Sequence, residues 1–151
     1  MTQGEIALGE ELRLDSQVCF ALYAASRAVT RLYRPLLDPL GLTYPQYLVM
    51  LVLWDHGSVA VKELGAALDL DSGTLSPLLK RLEANGLLTR SRSAEDERSV
   101  RVELTDDGVA LRERAADIPR RLACAIGWDP TELVEFRTRL REFTAVIGEE
   151  Q

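Results

Sequence analysis

The sequence has few cysteines, one histidine and no long apolar run, and each shortage excludes a class of protein. Its two cysteines, Cys19 and Cys124, are far apart, form no CxxC pair and, with one histidine, make no recognisable zinc site. The longest unbroken apolar run, residues 47–54, is too short to span a bilayer. The start, MTQGEIALGEELRLD, lacks the basic and apolar regions of a secretory signal. We therefore expect a cytoplasmic protein with no membrane partner, no metal and no cofactor.

Helical periodicity dominates the first third of the chain. Asp15 and Ser16 offer an N-cap for a long helix over about residues 13–38, in which apolar residues recur every three or four positions. Thr43 and Gln46 have the spacing of a capping box and predict a second, largely buried helix. Residues 1–12 are expected to form a flexible acidic arm.

Two short helices joined by a tight turn are predicted next. VKELGAAL is amphipathic, residues 69–71 form the turn, and Asp71 caps the helix SGTLSPLLKRLEAN, which Gly86 terminates. This spacing is typical of a helix-turn-helix. Its leucines are expected to face inward, which leaves its hydroxyl and basic side chains outside.

A hairpin and two further helices complete the predicted fold. Residues 87–92 and 99–105 read as strands around a charged loop, which is the wing of a winged helix. Thr105 is expected to cap a helix that runs to about residue 125 with a kink at Pro119, and Asp129 to open a last helix. The fold class is therefore mainly α (α+β): one domain over 13–151, with a winged helix-turn-helix at about 43–105 and flanking helices at about 13–38 and 105–148.

The second helix of the helix-turn-helix, with the wing, carries the candidate DNA contacts. Such a helix reads base edges in the major groove with its N-terminal residues and directs its first N–H groups at phosphate. Gly73 permits close approach of the backbone, Pro77 stiffens or bends the first turn, and Asp96 is placed to pair with Arg98. The candidate residues are Ser72, Gly73, Thr74, Ser76, Pro77, Lys80, Arg81, Arg92, Asp96 and Arg98.

Charge is distributed unevenly along the chain. The net charge is −6, which by itself argues against a nucleic-acid partner. Residues 72–102, however, hold six basic and four acidic side chains, so the predicted reading helix and wing are basic while the remainder is acidic. The alternative is a helical domain that binds no DNA and whose charged hairpin is simply solvated. The tight turn, the helix caps, the hairpin and the placement of charge together favour DNA binding instead.

Several stretches identify a family by resemblance. LDSGTLSPLLKRLEANGLLTR and DERSVRVELTDDG resemble the multiple-antibiotic-resistance regulator (MarR) family, and RPLLDPLGLTYPQYLVMLVLWD is similar to its organic hydroperoxide resistance regulator (OhrR) subgroup, of the two-cysteine type. The resemblance implies a homodimer, built by the first and last helices, that represses transcription from a pseudo-palindromic operator. Symmetric half-sites are what a two-fold dimer requires.

Cys19 is the candidate redox sensor. It lies near the start of the first helix, where the helix dipole favours an anion such as thiolate, the form that attacks a peroxide. The resemblance implies that Cys19 reacts with organic hydroperoxide, that Tyr33 and Tyr44 hydrogen-bond its sulfur, and that Cys124 resolves it as a disulfide across the dimer. The sequence alone does not decide whether Cys19 and Cys124 would pair within one subunit or between two subunits.

Other readings compete with the redox sensor. A repressor gated by a non-covalent ligand, such as a phenolic acid, would ignore peroxide. A thiol peroxidase would need a thioredoxin-like alternation of strands and helices, which is missing here, so we do not expect an enzyme. A DNA-bending protein without a switch leaves the two cysteines unexplained.

Overall fold

The computed structural model describes residues 10–92, 95 and 99–148. Contacts group the chain into two units, Met1–Arg114 and Ala115–Gln151. The first unit holds most of the core and all three strands. Its helices are α1 (Val18–Leu37), α2 (Tyr44–His56), α3 (Val61–Leu68), α4 (Ser72–Ala84) and most of α5 (Asp106–Ala115). The second unit holds α6 (Ile118–Ile126) and α7 (Pro130–Gly148).

The three strands form one antiparallel sheet, and one of the strands was not predicted. Strands β1 (Ser58–Ala60), β2 (Leu88–Arg92) and β3 (Val100–Leu104) have the order β1-β3-β2. In their register Val59 pairs with Val102, and Leu88 pairs with Leu104. The outer strand β1 has only three residues, which is too short for a period-two pattern to be visible in the sequence.

The core of the first unit comes from the predicted apolar positions. Leu75, Leu79 and Leu82 on α4 are at most 1% exposed, whereas Leu78 is half-buried. They pack with fully buried side chains of α2, α3 and the sheet, which include Val49, Met50, Leu53, Leu64, Leu88 and Val102. A mainly α fold with a winged helix-turn-helix is thereby confirmed.

Caps and stops explain most helix ends. The Thr43–Gln46 capping box at the start of α2 is present in both directions, with hydrogen bonds of 3.4 and 3.0 Å. Gly57 ends α2 with a φ of 81°, which a glycine adopts without steric cost. The expected cap of α1 is wrong: residues 14–16 form a 3₁₀ turn, and Gln17 occupies the N-cap position without capping through its side chain.

The helix expected to run from Thr105 to about residue 125 is two helices. Thr105 does cap α5, since its Oγ1 accepts the N–H of Gly108 at 3.1 Å. The chain then leaves the helix after Ala115, and α6 starts at Ile118 with Pro119 in its first turn. A proline at 119 lacks the N–H that would bond to the carbonyl of Ala115 and its ring clashes there, so the helix breaks rather than bends.

Two contacts stabilise the start of α7 in the second unit, and the first of them was predicted. Asp129 caps α7 by accepting the N–H of Thr131 at 2.9 Å, and the rings of Trp128 and Phe136 meet edge to face at 5.5 Å.

Among the described residues no single helix is long and apolar enough to cross a membrane. The bent pair Val18–Leu40 and Tyr44–His56, at 67°, passes that length and composition test only when its halves are combined.

Candidate functional site

The turn before α4 is held by short-range contacts. The carboxylate of Asp71 accepts the N–H of Thr74 at 2.7 Å, and this hydrogen bonding holds the pKa of Asp71 below its usual value. Asp69 adopts a left-handed conformation with a φ of 54°. A Cβ on Gly65 would lie 2.9 Å from the carbonyl oxygen of Leu70, so α3 approaches the turn closely only because a glycine is there. The orientation of α4 relative to α3 is therefore well determined.

The predicted DNA-contacting residues of α4 are all exposed. They are Ser72, Gly73, Thr74, Ser76, Pro77, Lys80 and Arg81. Arg92 is exposed at the end of β2. Asp96 and Arg98 lie outside the described residues. The structure thus brings the α4 set together on one solvent-facing surface and places Arg92 on the hairpin that follows.

One ionic contact beside this surface was missed by the sequence reasoning. The Glu83 carboxylate accepts both the backbone N–H of Arg90, at 3.0 Å, and its guanidinium, at 3.2 Å. These bonds to Arg90 lower the pKa of Glu83. The contact fastens the end of α4 to β2, and so orients the hairpin. Helical and strand periodicities do not reveal it because the two residues belong to different elements.

The two cysteines are exposed free thiols on different units. Cys19 is the second residue of α1, and Cys124 lies in the last turn of α6. Arg120, one turn before Cys124, is engaged by the carboxylate of Asp117 at 2.8 Å. That carboxylate, rather than the Cys124 thiol, is therefore the partner that the structure gives to Arg120.

Tyr33, Tyr44 and Tyr47 form an aromatic group that we call the tyrosine cluster. Ring centroids are 4.6 Å apart for Tyr33 and Tyr44, and 5.7 Å for Tyr33 and Tyr47. Burial, and then the proximity of the other two phenols, raises the pKa of Tyr33 to about 12. Burial also raises the pKa values of Tyr44 and Tyr47. Tyrosines are protonated at neutral pH even at their ordinary pKa of 10.0, and these upward shifts move the three phenols further from ionisation.

Cys19 and the tyrosine cluster do not meet within one chain. Cys19 and Tyr33 lie on the same helix, α1, which continues from Val18 to Leu37. At a rise of 1.5 Å per residue, they are about 21 Å apart along the axis. A contact between this sulfur and the Tyr33 hydroxyl therefore needs a second chain.

Large apolar side chains are exposed on the terminal helices. On α1 these are Val18, Phe20, Tyr23 and Val29, and on α7 they are Val134, Phe136, Val146 and Ile147. The exposed apolar residues are of the kind that a protein partner covers.

Within the described part of the chain, no group of three or more His, Cys, Asp or Glu is arranged to hold a metal ion.

Comparison with known proteins identifies relatives over most of the chain. The family of transcriptional regulators described as SarA/Rot matches residues 31–114. The organic hydroperoxide resistance transcriptional regulator of Bacillus subtilis is 57% identical over 110 residues, which cover 73% of this chain and 75% of that protein.

Solved structures of relatives share the fold. The structure of reduced AbfR bound to DNA, a protein of Staphylococcus epidermidis, has a TM-score of 0.78 at 34% identity and covers 93% of this chain and 96% of AbfR. AbfR with its disulfide formed has a TM-score of 0.61 at 36% identity, covering 89% and 94%. Bordetella bronchiseptica BpsR, whose DNA binding is regulated by 6-hydroxynicotinic acid, has a TM-score of 0.79 at 28% identity, covering 87% and 96%.

Proposed function

The chain belongs to the SarA/Rot and MarR type of winged-helix transcriptional regulators, which are not enzymes, and we propose that it is a repressor that senses organic hydroperoxide through Cys19. The observation that carries the proposal is an exposed cysteine at the second position of α1, in a chain 57% identical to an organic hydroperoxide resistance regulator. DNA is the proposed partner, as it is for AbfR.

The reduced protein binds DNA through α4 and the hairpin. The exposed first turn of α4 enters the major groove, where Thr74 and Ser76 reach base edges or phosphate, and Lys80 and Arg81 neutralise phosphates. Arg92 extends the basic surface along the hairpin. A homodimer places two such helices on a pseudo-palindromic operator, and the exposed apolar residues of α1 and α7 supply its interface.

The sensor is assembled between two subunits. Because Cys19 and Tyr33 of one chain are about 21 Å apart, the phenols of Tyr33 and Tyr44 serve the sulfur of Cys19 of the partner subunit. A phenol with the ordinary pKa of 10.0 is already protonated at neutral pH, and burial raises the pKa values of Tyr33 and Tyr44 further, so both hydroxyls can donate to the thiolate. A donor pair that favours thiolate over thiol increases the reactive fraction of the cysteine.

Oxidation of Cys19 proceeds in two steps, formation of a sulfenic acid and then of a disulfide. The Cys19 thiolate attacks the terminal oxygen of the hydroperoxide, the O–O bond breaks, and the alkoxide leaves and takes up a proton as the alcohol. Cys19 is now a sulfenic acid. The thiolate of Cys124 of the partner subunit then attacks its sulfur, forms the disulfide and expels hydroxide, which becomes water. Two thiols are oxidised, and one hydroperoxide is reduced to an alcohol and water.

Disulfide formation is coupled to DNA release by geometry. A disulfide requires Cα atoms within about 7 Å, which constrains α1 of one chain against α6 of the other. The reading helices are carried by the same dimer, so their spacing changes and the operator is lost. AbfR, for which a disulfide-formed structure exists, supports such a state for this fold.

One experiment tests the proposal directly. The reduced protein is treated with stoichiometric cumene hydroperoxide and divided between a non-reducing gel and a DNA-binding assay, with a duplex selected by the reduced protein from a random library. We expect a crosslinked dimer that dithiothreitol reverses, formed at the rate at which DNA is released. Persistent DNA binding without a crosslink contradicts the redox sensor.

A ligand-gated repressor is the second candidate. It is favoured by the similarity to BpsR, whose DNA binding is regulated by 6-hydroxynicotinic acid. In that case aromatic acids release the duplex from the reduced protein, and substitution of either cysteine has no effect. The same DNA-binding assay, run with 6-hydroxynicotinic acid in place of the peroxide, separates the two candidates.

A further inference from the structure

A continuous line of contacts leads from the tyrosine cluster to the hairpin that follows α4. Its first link is Tyr47, which is only 2% exposed. The Tyr47 ring lies 5.7 Å from Tyr33 and 6.4 Å from Tyr44 on one side. On its other side it meets the ring of Trp54 edge to face at 6.4 Å. Tyr47 and Trp54 both belong to α2, so the first links are packed against one rigid helix.

The next link crosses from α2 to the start of α5. The indole N–H of Trp54 donates a hydrogen bond of 2.9 Å to the carbonyl oxygen of Gly108. Among the described residues, no other side chain of α2 is hydrogen-bonded to α5. A partly buried N–H that loses its acceptor costs stability, so a shift of Trp54 that keeps this hydrogen bond also moves Gly108.

The last link joins α5 to the first residues of the hairpin. Gly108 lies against Leu87, and a Cβ on it would be 2.1 Å from the Leu87 carbonyl oxygen. The same carbonyl accepts the N–H of Thr105 at 3.1 Å, and the Thr105 hydroxyl donates to the carbonyl of Gly86. Residues 86 and 87 lead directly into β2. The start of α5 is therefore in direct contact with the base of the hairpin.

We propose that Trp54 is the positioning residue that couples the tyrosine cluster to the base of the DNA-binding hairpin. This inference rests on the proposed function, because the cluster is the part of the sensor that serves the cysteine. When oxidation withdraws the sulfur from the phenols, Tyr47 and Trp54 shift with them, and the Gly108 hydrogen bond carries the shift to β2. Coupling of this kind is reciprocal, so DNA bound at the hairpin also perturbs Trp54.

The coupling is tested with Trp54→Phe, which keeps an aromatic ring against Tyr47 but removes the N–H. The matched control is Trp128→Phe, which removes the other tryptophan, from a half-exposed site in the second unit. Thermal unfolding first establishes that both variants fold. For parent and variants, the dissociation constant for the selected duplex is measured before and after cumene hydroperoxide, and Cys19 oxidation is followed by intact mass.

In Trp54→Phe we expect Cys19 to oxidise at the parental rate, while the ratio of oxidised to reduced dissociation constants falls about fivefold. Trp128→Phe keeps the parental ratio. A Trp54→Phe protein with the parental ratio overturns the proposal, although the redox sensor would stand. A parent that does not respond to peroxide contradicts the proposed function instead.

A second measurement needs neither peroxide nor the loss of Trp54. In Trp128→Phe, Trp54 is the sole tryptophan, and its fluorescence reports its hydrogen bond and surroundings. We expect the selected duplex to shift its emission, since the contacts run from the hairpin back to the indole. Unchanged emission at saturating duplex overturns the coupling, whatever the protein senses.

Discussion

Gly108 of α5 lies directly against the backbone of Leu87, so closely that a methyl group on Gly108 would sit 2.1 Å from the Leu87 carbonyl oxygen and 3.1 Å from Leu104 Cδ2. Leu87 precedes β2 and Leu104 ends β3, so the start of α5 rests on the base of the hairpin. This close approach exists because position 108 has no side chain.

Gly108→Ala is therefore expected to destabilise the fold by about 3 kcal/mol, near the upper end of typical overpacking costs, since backbone atoms cannot move aside as a side chain would. Alanine is otherwise the better helix former, so the loss would be steric. Gly148→Ala is the control, because nothing lies within 4 Å of the position that a methyl group would take there. Urea unfolding measures both. Equal stability of the two variants contradicts the close contact.

Lys80 is exposed on α4 and is expected to contact phosphate rather than a base. Lys80→Ala should weaken binding several-fold for every duplex sequence, and lower the slope of log affinity against log salt by about one for each α4 helix bound. Arg27→Ala, which removes one positive charge from α1, should keep the parental slope. A Lys80→Ala protein with an unchanged salt slope removes Lys80 from the interface.

Tyr33 links stability to alkaline pH. Its folded-state pKa of about 12 lies above the ordinary 10.0 of a tyrosine, so the folded protein holds this proton more tightly than the unfolded chain does. The stability contributed is fully present below pH 10 and is lost as the pH rises through about 12. Urea titrations across this window should give a flatter pH dependence for Tyr33→Phe than for the parent. Tyr23→Phe, which removes an exposed phenol, is the control; identical curves for parent and Tyr33→Phe would refute the shift.

The local signals in the sequence were sufficient for the helix-turn-helix, for clear physical reasons. Asp71 and Thr43 are N-cap residues, whose side chains accept hydrogen bonds from the backbone N–H three positions later, and such residues indicate helix starts in a sequence. Features that depend on distant residues were not predicted. Strand β1 exists only because β3 pairs with it, and the break before Pro119 required a choice between kink and interruption that a lone proline does not decide.

The candidate site follows the same division. The exposed face of α4 follows from helical periodicity alone, and the family resemblance picked out Cys19, Tyr33 and Tyr44. The separation of Cys19 from Tyr33 already follows from the long helix predicted over about residues 13–38, and the structure gives that helix as Val18–Leu37. The Glu83–Arg90 and Trp54–Gly108 contacts join different elements, and neither periodicity nor resemblance to the family indicated them.

Cys19→Ser is expected to bind the selected duplex as the parent does, because serine is close to cysteine in shape and its hydroxyl can accept the same hydrogen bonds. Position 19 also lies outside the core of the single chain. A serine hydroxyl is not oxidised by peroxide, so cumene hydroperoxide should leave this complex intact. The DNA-binding assay with increasing peroxide measures the effect. Release of the duplex from Cys19→Ser at parental peroxide concentrations would assign sensing to another group.

Cys124→Ser separates the oxidation of Cys19 from its resolution. Cys19 should still gain one oxygen atom, because the attack on peroxide does not involve the second thiol. Without a thiol to condense with, the sulfenic acid should persist and then gain a second oxygen as sulfinic acid, which dithiothreitol does not reverse. Intact mass and the non-reducing gel follow both products. A crosslinked dimer in Cys124→Ser would mean that Cys19 pairs with Cys19 of the partner subunit, and a variant that shows parental, reversible release without a crosslink would remove Cys124 from the switch.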